Sequence, residues 1–482
     1  MHIKNNLITK ITAILLVIFL TFGNVAQVSA VFSGTVSERE IQIIQPQEAG
    51  INASTWDGTY PATRPAGMDD GAGDYIIDID TAEEFAWIMS QQNMFLDGVS
   101  GVNTVRLNTD IDLANHPWTP SVAAGPSQAN TFDGGGYTIS NLFVDGGTYQ
   151  SSNNRYFLGL FGRVPNAAHA KIQNLTVDGA VLNGSTTVRS YAGVITGSED
   201  WMGHYENVHV KNATITASKY VGAIAAYGTS NMINVSAENI TFNITEIGDD
   251  KPHVGGLIGL NNAGTLDNAT VSNVTINISS DDGIQTNQVG ALIGTAQANV
   301  FINPNSTATG VTYNGVPLTA LVGLDNRVDT RWYDPAGDNY VITTIPELKG
   351  FDNLLNGGTS FLGKTVLLGA DIDLAGQGFL PLGSSTNIFK GTFDGQNHTL
   401  SNLSLTQATS RAGFFARVDE GGVKNLNVDN FDIKAPDYAG AVAGQMFRAS
   451  IDNVHVSNST ILSDHFGGGV TGHLYGNAKN SS

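Results

Sequence analysis

The sequence predicts an all-β chain: two tandem right-handed parallel β-helices with three strands per coil, each closed at its N-terminal end by a short helix. Three observations lead there. A six-residue register (apolar, any, Asn, apolar, any, apolar or small) recurs around Asn141, Asn174, Asn207, Asn234 and Asn268, and again around Asn402, Asn425 and Asn453. These asparagines lie 33, 33, 27 and 34 residues apart in the first block and 23 and 28 apart in the second. A period near thirty is that of one supersecondary unit copied along an axis. Finally, Asp110-Ile-Asp-Leu113, Thr131-Phe-Asp-Gly134 and Thr138-Ile-Ser-Asn-Leu142 return as Asp371-Ile-Asp-Leu374, Thr392-Phe-Asp-Gly395 and Thr399-Leu-Ser-Asn-Leu403, each 261 residues later.

Lys4 and Lys10, the apolar run from Ile11 to Phe22 and the small-residue end Val28-Ser29-Ala30 have the order of a secretory signal, so residues 1–30 are expected to be removed after Ala30. Residues 31–55 read as a polar linker, 56–328 as the first β-helix and 329–482 as the second. Each copy opens with a capping-box signature, Thr81-Ala-Glu-Glu84 and Thr344-Ile-Pro-Glu347, followed by apolar residues at helical spacing (Phe85, Ile88, Met89; Leu348, Phe351, Leu355).

Short strands fill the rest. In one repeat, Asn174-Leu-Thr-Val177, Ala180-Val-Leu182 and Tyr191-Ala-Gly-Val-Ile-Thr-Gly197 give three strands, one triangular coil. The Asn is expected at a sharp corner, where it tolerates left-handed backbone and can bond to the Asn above and below. A second marker, glycines bracketing apolar residues as in Gly159-Leu-Phe-Gly162, Gly222-Ala-Ile-Ala225 and Gly440-Ala-Val-Ala-Gly444, is a packing signature. The register decays around Phe301-Ile-Asn303-Pro304, as a terminal coil should. A ninth register begins near Ala478-Lys-Asn480 and stops, so the second β-helix reads as incomplete, with its last coil open to end-to-end contact with a partner.

These residues resemble the GLUG repeat family, found in secreted and wall-attached bacterial surface proteins, including the non-catalytic regions of IgA-specific metalloendopeptidases. The resemblance spans roughly residues 56–482 and rests on the Gly-Leu-Phe-Gly, Asp-Ile-Asp-Leu and Phe-Asp-Gly segments. It implies a β-helical stalk or binding surface, and carries no activity with it.

Composition narrows the function. The 482 residues include 56 Gly and 14 Pro, only 14% are charged and 41% are hydrophobic, which suits many short strands and tight turns and excludes a disordered chain. There is no Cys, so stability outside the cell must come from the core and from stacked hydrogen bonds. A net charge of −20 argues against nucleic acid or anionic polysaccharide as partner. After the signal, no stretch is long and apolar enough to span a bilayer, so the mature chain is expected to be secreted or displayed at the cell surface.

Candidates for chemistry are few. Asp110 with Asp112, and Asp371 with Asp373, each point to one side of a strand, as acid–base or Ca²⁺ pairs do, but their duplication favours a structural role. Asp133 and Asp394 read as turn residues by the same logic. Asp69, Asp70, Asp74, Asp78 and Asp80 form the densest acidic run and the best Ca²⁺ candidate; no other cofactor is suggested. His204 and His209 lack the Glu and spacing of a zinc peptidase. Trp56 and Trp332 open the two copies and are expected to pack the caps; Trp118 and Trp201 have no counterpart and are the expected ligand contacts. With no catalytic residue assignable, the leading expectation is a structural or adhesive scaffold binding a glycan or surface protein. The rival is a carbohydrate-active β-helix enzyme.

Overall fold

Strand alternation fixes the architecture. A computed structural model describes residues 53–68, 75–91, 104–120, 130–150, 154–164, 170–199, 202–248, 251–279, 288–406 and 410–482. Within these the chain repeatedly returns to run parallel to itself. Ile77 is in register with Val105, and Val105 with Phe132, Ile172, Tyr205, Met232 and Leu266 in succession. All seven are buried. From Tyr340 a second series begins, through Val366, Phe393, Val423, Ile451 and Ala478. One inward residue per lap, flanked by outward polar neighbours, is what a period of two produces on a half-buried sheet.

The result is a mostly β chain with long sheets of parallel strands, as an all-β parallel solenoid has. A 21-stranded and a six-stranded sheet gather the strands up to Asp325; a nine-stranded and two three-stranded sheets gather those from Asn339 on. Antiparallel pairing among the described strands is confined to Thr148–Gln150 with Arg155–Leu158 and Thr307–Tyr313 with Val316–Pro317. Two large apolar cores lie within the laps, one from Trp56 to Val322 and one from Tyr340 to Val454. The apolar residues bracketed by glycines (Val194 and Ile195, Ala223 and Ile224, Ala291 and Leu292) are fully buried. Gly222 shows why glycine stands beside them: a Cβ there would sit 2.4 Å from the Ala225 carbonyl oxygen and 2.5 Å from the Ile258 Cα of the next lap.

Both helices occur where the capping boxes fall. The first, Ala82–Ser90, starts at Thr81, whose hydroxyl accepts from Glu84 N at 3.2 Å while the Glu84 carboxylate accepts from Thr81 N at 3.1 Å. The second, Ile345–Asn356, repeats the device with Thr344 and Glu347. Phe85 and Phe351 lead the apolar faces of these helices into the first laps of the two cores, stacking against Trp118 and against Phe393.

One boundary differs from expectation: Ser54–Thr55, the last residues of the expected linker, already pair with Ile111–Asp112. The signal segment 1–30, residues 31–52 of the linker, Asp69, Asp70, Asp74 and Trp201 lie outside the described residues. No helix among the described residues is long and apolar enough to cross a membrane.

Candidate functional site

At the corners, side-chain amides form columns. Asn207 donates through Nδ2 to Asn174 Oδ1 at 2.9 Å, Asn234 to Asn207 at 2.6 Å, and Asn268 to Asn234 at 2.9 Å. Asn453 donates to Asn425 at 3.0 Å in the second series. Every one of these residues has φ between 49° and 55°, the left-handed backbone that Asn accepts at lower cost than other side-chain-bearing residues.

Asn141 and Asn402 stand elsewhere. They belong to a second column one corner further on: Asn141 lies opposite Gly179 and Asn402 opposite Asn430, which donates to it at 2.7 Å. The same second column holds Asn212, Asn239 and Asn273, linked at 3.0 and 3.3 Å. The sequence carries this signal, because in five laps a second Asn follows the first by five residues (174 is the exception, with Gly179). The six-residue register merges the two corners, since both place Asn between an apolar residue two before and one directly after.

The duplicated aspartates form the feet of these columns. Asp133 accepts from Asn174 and Asp394 from Asn425, both at 3.0 Å; Asp112 accepts from Asn141 and Asp373 from Asn402, both at 2.8 Å. Asp110 and Asp371 accept from the backbone N–H of Thr138 and Thr399, both at 2.8 Å. Each amide donates toward the preceding lap, so the lowest position needs an acceptor, and a carboxylate is acceptor-only.

The metal and ligand candidates fare differently. Asp78 holds Arg106 through two contacts of 2.7 and 2.9 Å, and Asp80 accepts from Asn108 at 3.1 Å. Among the described residues no three His, Cys, Asp or Glu side chains converge as metal ligands would. Trp118 is not a ligand contact: it is 3% exposed, its Nε1 donates to the Leu160 carbonyl at 3.1 Å, and its ring stacks on Phe85. With Trp56 it packs beneath the first helix, where a large ring buries more than a loop position suggests. Trp332 packs on Tyr340 and Phe361 in the second copy.

The aromatic column that the structure assembles is not singled out from the sequence. Phe157, Tyr191, Tyr220 and His253 each stand two residues before a marker glycine, and parallel pairing sets them in one column. Their ring centroids are 5.4, 4.6 and 4.7 Å apart, with Tyr227 5.1 Å to the side of Tyr220. The Arg155 guanidinium and the Lys219 ammonium each lie 5.1 Å from a ring centroid, those of Tyr191 and Tyr220. This cluster is separate from the main core and is itself buried, with Phe157, Tyr191 and His253 1, 6 and 9% exposed. Arg411, Tyr438 and Phe466 hold the same place before Gly413, Gly440 and Gly468. Arg411 lies 5.2 Å over Tyr438, and Tyr438 and Phe466 stack with centroids 5.1 Å apart at 8°.

A buried polar cluster lies further along the first lap series. Glu199 is 2% exposed and is contacted by the hydroxyl of Tyr205 and by Ser230 Oγ at 3.1 and 3.2 Å, while Thr196 Oγ1 lies 2.6 Å from the Tyr205 oxygen. Gly203 leaves it room, since a Cβ there would stand 2.4 Å from Glu199 Oε2. Burial raises the Glu199 carboxyl from 4.5 to about 7, against the pull of the hydrogen bonds. Burial, then the Glu199 charge, pushes the Tyr205 phenol well above its usual value. Such a group can hold a proton near neutrality.

No family model matches the chain, and no solved structure matches it. Over 206 residues, 39% of the chain, it is 28% identical to halomucin of Haloquadratum walsbyi (strain DSM 16790 / HBSQ001), spanning 2% of that protein's length.

Proposed function

We propose that this chain is a secreted or cell-surface scaffold of GLUG-like repeats, built as two tandem right-handed parallel β-helices of three strands per coil, that presents a rigid face to a glycan or a surface protein. The observation that carries the reading is the lap-to-lap register: residues about thirty apart in sequence become vertical neighbours, so any outward side chain recurs as a row. The rows of corner amides are repeating polar surfaces of the kind adhesion uses, and the duplicated carboxylates that a catalytic reading would need are occupied by the corners they support. Extracellular placement rests on the signal-like first thirty residues. The partial similarity to halomucin adds no partner or activity.

The rival, a carbohydrate-active enzyme, is separated by one assay. The purified chain is incubated with a polysaccharide panel, with and without Ca²⁺, and released reducing ends and unsaturated sugars are measured. The scaffold reading expects no release in either condition; release that Glu199→Gln abolishes would replace it with the enzymatic one.

A further inference from the structure

We infer that the facet of the first lap series carrying Thr214, Thr241 and Thr275 in one row, and Thr216, Asn243 and Asn277 in the next, is an ice-binding surface.

The array follows from register. Val181 pairs with Thr214, Thr214 with Thr241, Thr241 with Thr275 and Thr275 with Thr312, all in parallel strands. Two residues on, Asn183 pairs with Thr216, Thr216 with Asn243 and Asn243 with Asn277. The residues between the two rows, Leu182, Ile215, Phe242 and Ile276, are fully buried, which turns both rows outward. Thr214, Asn243, Thr275 and Asn277 are exposed. Asn277 Nδ2 donates to Asn243 Oδ1 at 3.1 Å, so the two amides are held in line. Thr is stiff at χ1, which fixes its hydroxyl and methyl with the strand. The result is a rigid lattice of neutral polar groups, about 4.8 Å apart along the stack and roughly 7 Å apart along each strand.

The chemistry of the array selects its occupant. From the lap of Val181 to that of Thr312 neither row holds a charged residue, in a chain of net charge −20. The fold does not demand that neutrality. In the second lap series the same two positions after the corner Asn430 are Asp432 and Lys434, both exposed. Without fixed charge the array has no pull on a polyanion or a polycation. Between Val181 and Thr312 neither row holds an aromatic ring, so no platform lies there for the C–H face of a sugar. Hydroxyls and amides both donate and accept, as water does. Waters held at these points repeat in two dimensions with spacings close to those between oxygen atoms in ice. The first layer is therefore ordered before the crystal meets it, and joining the crystal costs little further immobilisation. Ice also offers a repeating surface as extended as the array, whereas a small solute would meet only one or two of its groups.

The test uses the whole chain in dilute buffer. Crystal shape and the gap between freezing and melting points are measured on single ice crystals, and partition of the chain between a growing ice front and the liquid is measured in parallel. The chain facets the crystal, opens the gap and is enriched in the ice, from which solutes that do not bind are excluded. Thr275→Asp and Asn243→Lys, which copy Asp432 and Lys434 onto the array, each abolish the enrichment, with far-UV circular dichroism and melting unchanged. Thr460→Lys, in the corresponding row of the second series, leaves it intact. Exclusion of the parent from ice, enrichment that survives both substitutions, or enrichment lost equally in Thr460→Lys overturns the inference. Retention on microcrystalline cellulose with exclusion from ice overturns it too, and assigns the array to a crystalline glycan. None of these results sinks the scaffold reading, which fails on catalytic release of sugar.

Discussion

A corner asparagine performs two tasks that no other residue combines. It occupies left-handed backbone and it both donates and accepts along the column, so Asn207 is bonded to Asn174 below and Asn234 above. Asn207→Ala is expected to cost about 3–4 kcal/mol, from two lost hydrogen bonds at roughly 1 kcal/mol each and from left-handed strain of ~1–2 kcal/mol. Asn207→Gly escapes the strain and should lie about 1 kcal/mol closer to the parent, read as the shift in urea midpoint. Glu199 makes a pH-dependent contribution. The folded chain keeps its proton up to about pH 7, whereas the unfolded chain loses it near 4.5, so stability declines as pH rises between those values and is level above. The total is roughly 3 kcal/mol, because each tenfold difference in proton affinity between the two states is worth about 1.4 kcal/mol. Glu199→Gln should flatten this part of the melting-temperature profile; an unchanged slope would remove Glu199 as its source.

Among the elements, the two helices matter because an open first lap is a bare sheet edge that invites pairing with another chain. Their capping boxes fix where they start. Thr344→Ala removes the acceptor for Glu347 N and is expected to destabilise by about 1 kcal/mol, a lowered melting temperature with the same strand content by circular dichroism. The other end of the first core is closed differently. Gln377 lies against the edge strand Val322–Asp325, where its Oε1 accepts from Asp325 N at 3.0 Å and its Nε2 donates to the Gly323 carbonyl at 2.8 Å. One side-chain amide thus stands in for a peptide group of the next strand, and the Lys349 ammonium caps the Asp325 and Gln377 carbonyls beside it. Burial lowers the Lys349 pKa, with Asp325 pulling the other way.

For the whole molecule, that clamp is expected to help the two cores respond as one. They are separate apolar clusters, and Gln377 and Lys349 supply polar links between the laps around them. Gln377→Leu leaves the Gly323 carbonyl and the Asp325 N–H without those partners at about 1–3 kcal/mol apiece. Calorimetry of this variant should show two resolved transitions where the parent shows one, as expected when nearest-neighbour coupling in a repeat array is weakened. A single transition, merely shifted, would mean that the apolar contacts alone couple the laps.

Much of the fold is legible in the sequence because it is periodic. Apolar alternation, the thirty-residue Asn register and the Thr-x-x-Glu boxes are local patterns, and each forces one local geometry whatever surrounds it. The chemistry of the surface is far less legible. Trp118 reads as a lone exposed ring and is core, because its position is set by Phe85 and Trp56 from distant segments. The rings that do gather, from Tyr191 to His253 and from Tyr438 to Phe466, lie about thirty residues apart and meet only when lap stacks on lap. Sequence by itself determined the repeat, the corners and the helix starts, all products of short-range sterics and hydrogen bonding. Tertiary structure alone decided which aspartate ends a column and which rings stack together, since those depend on the vertical register between laps.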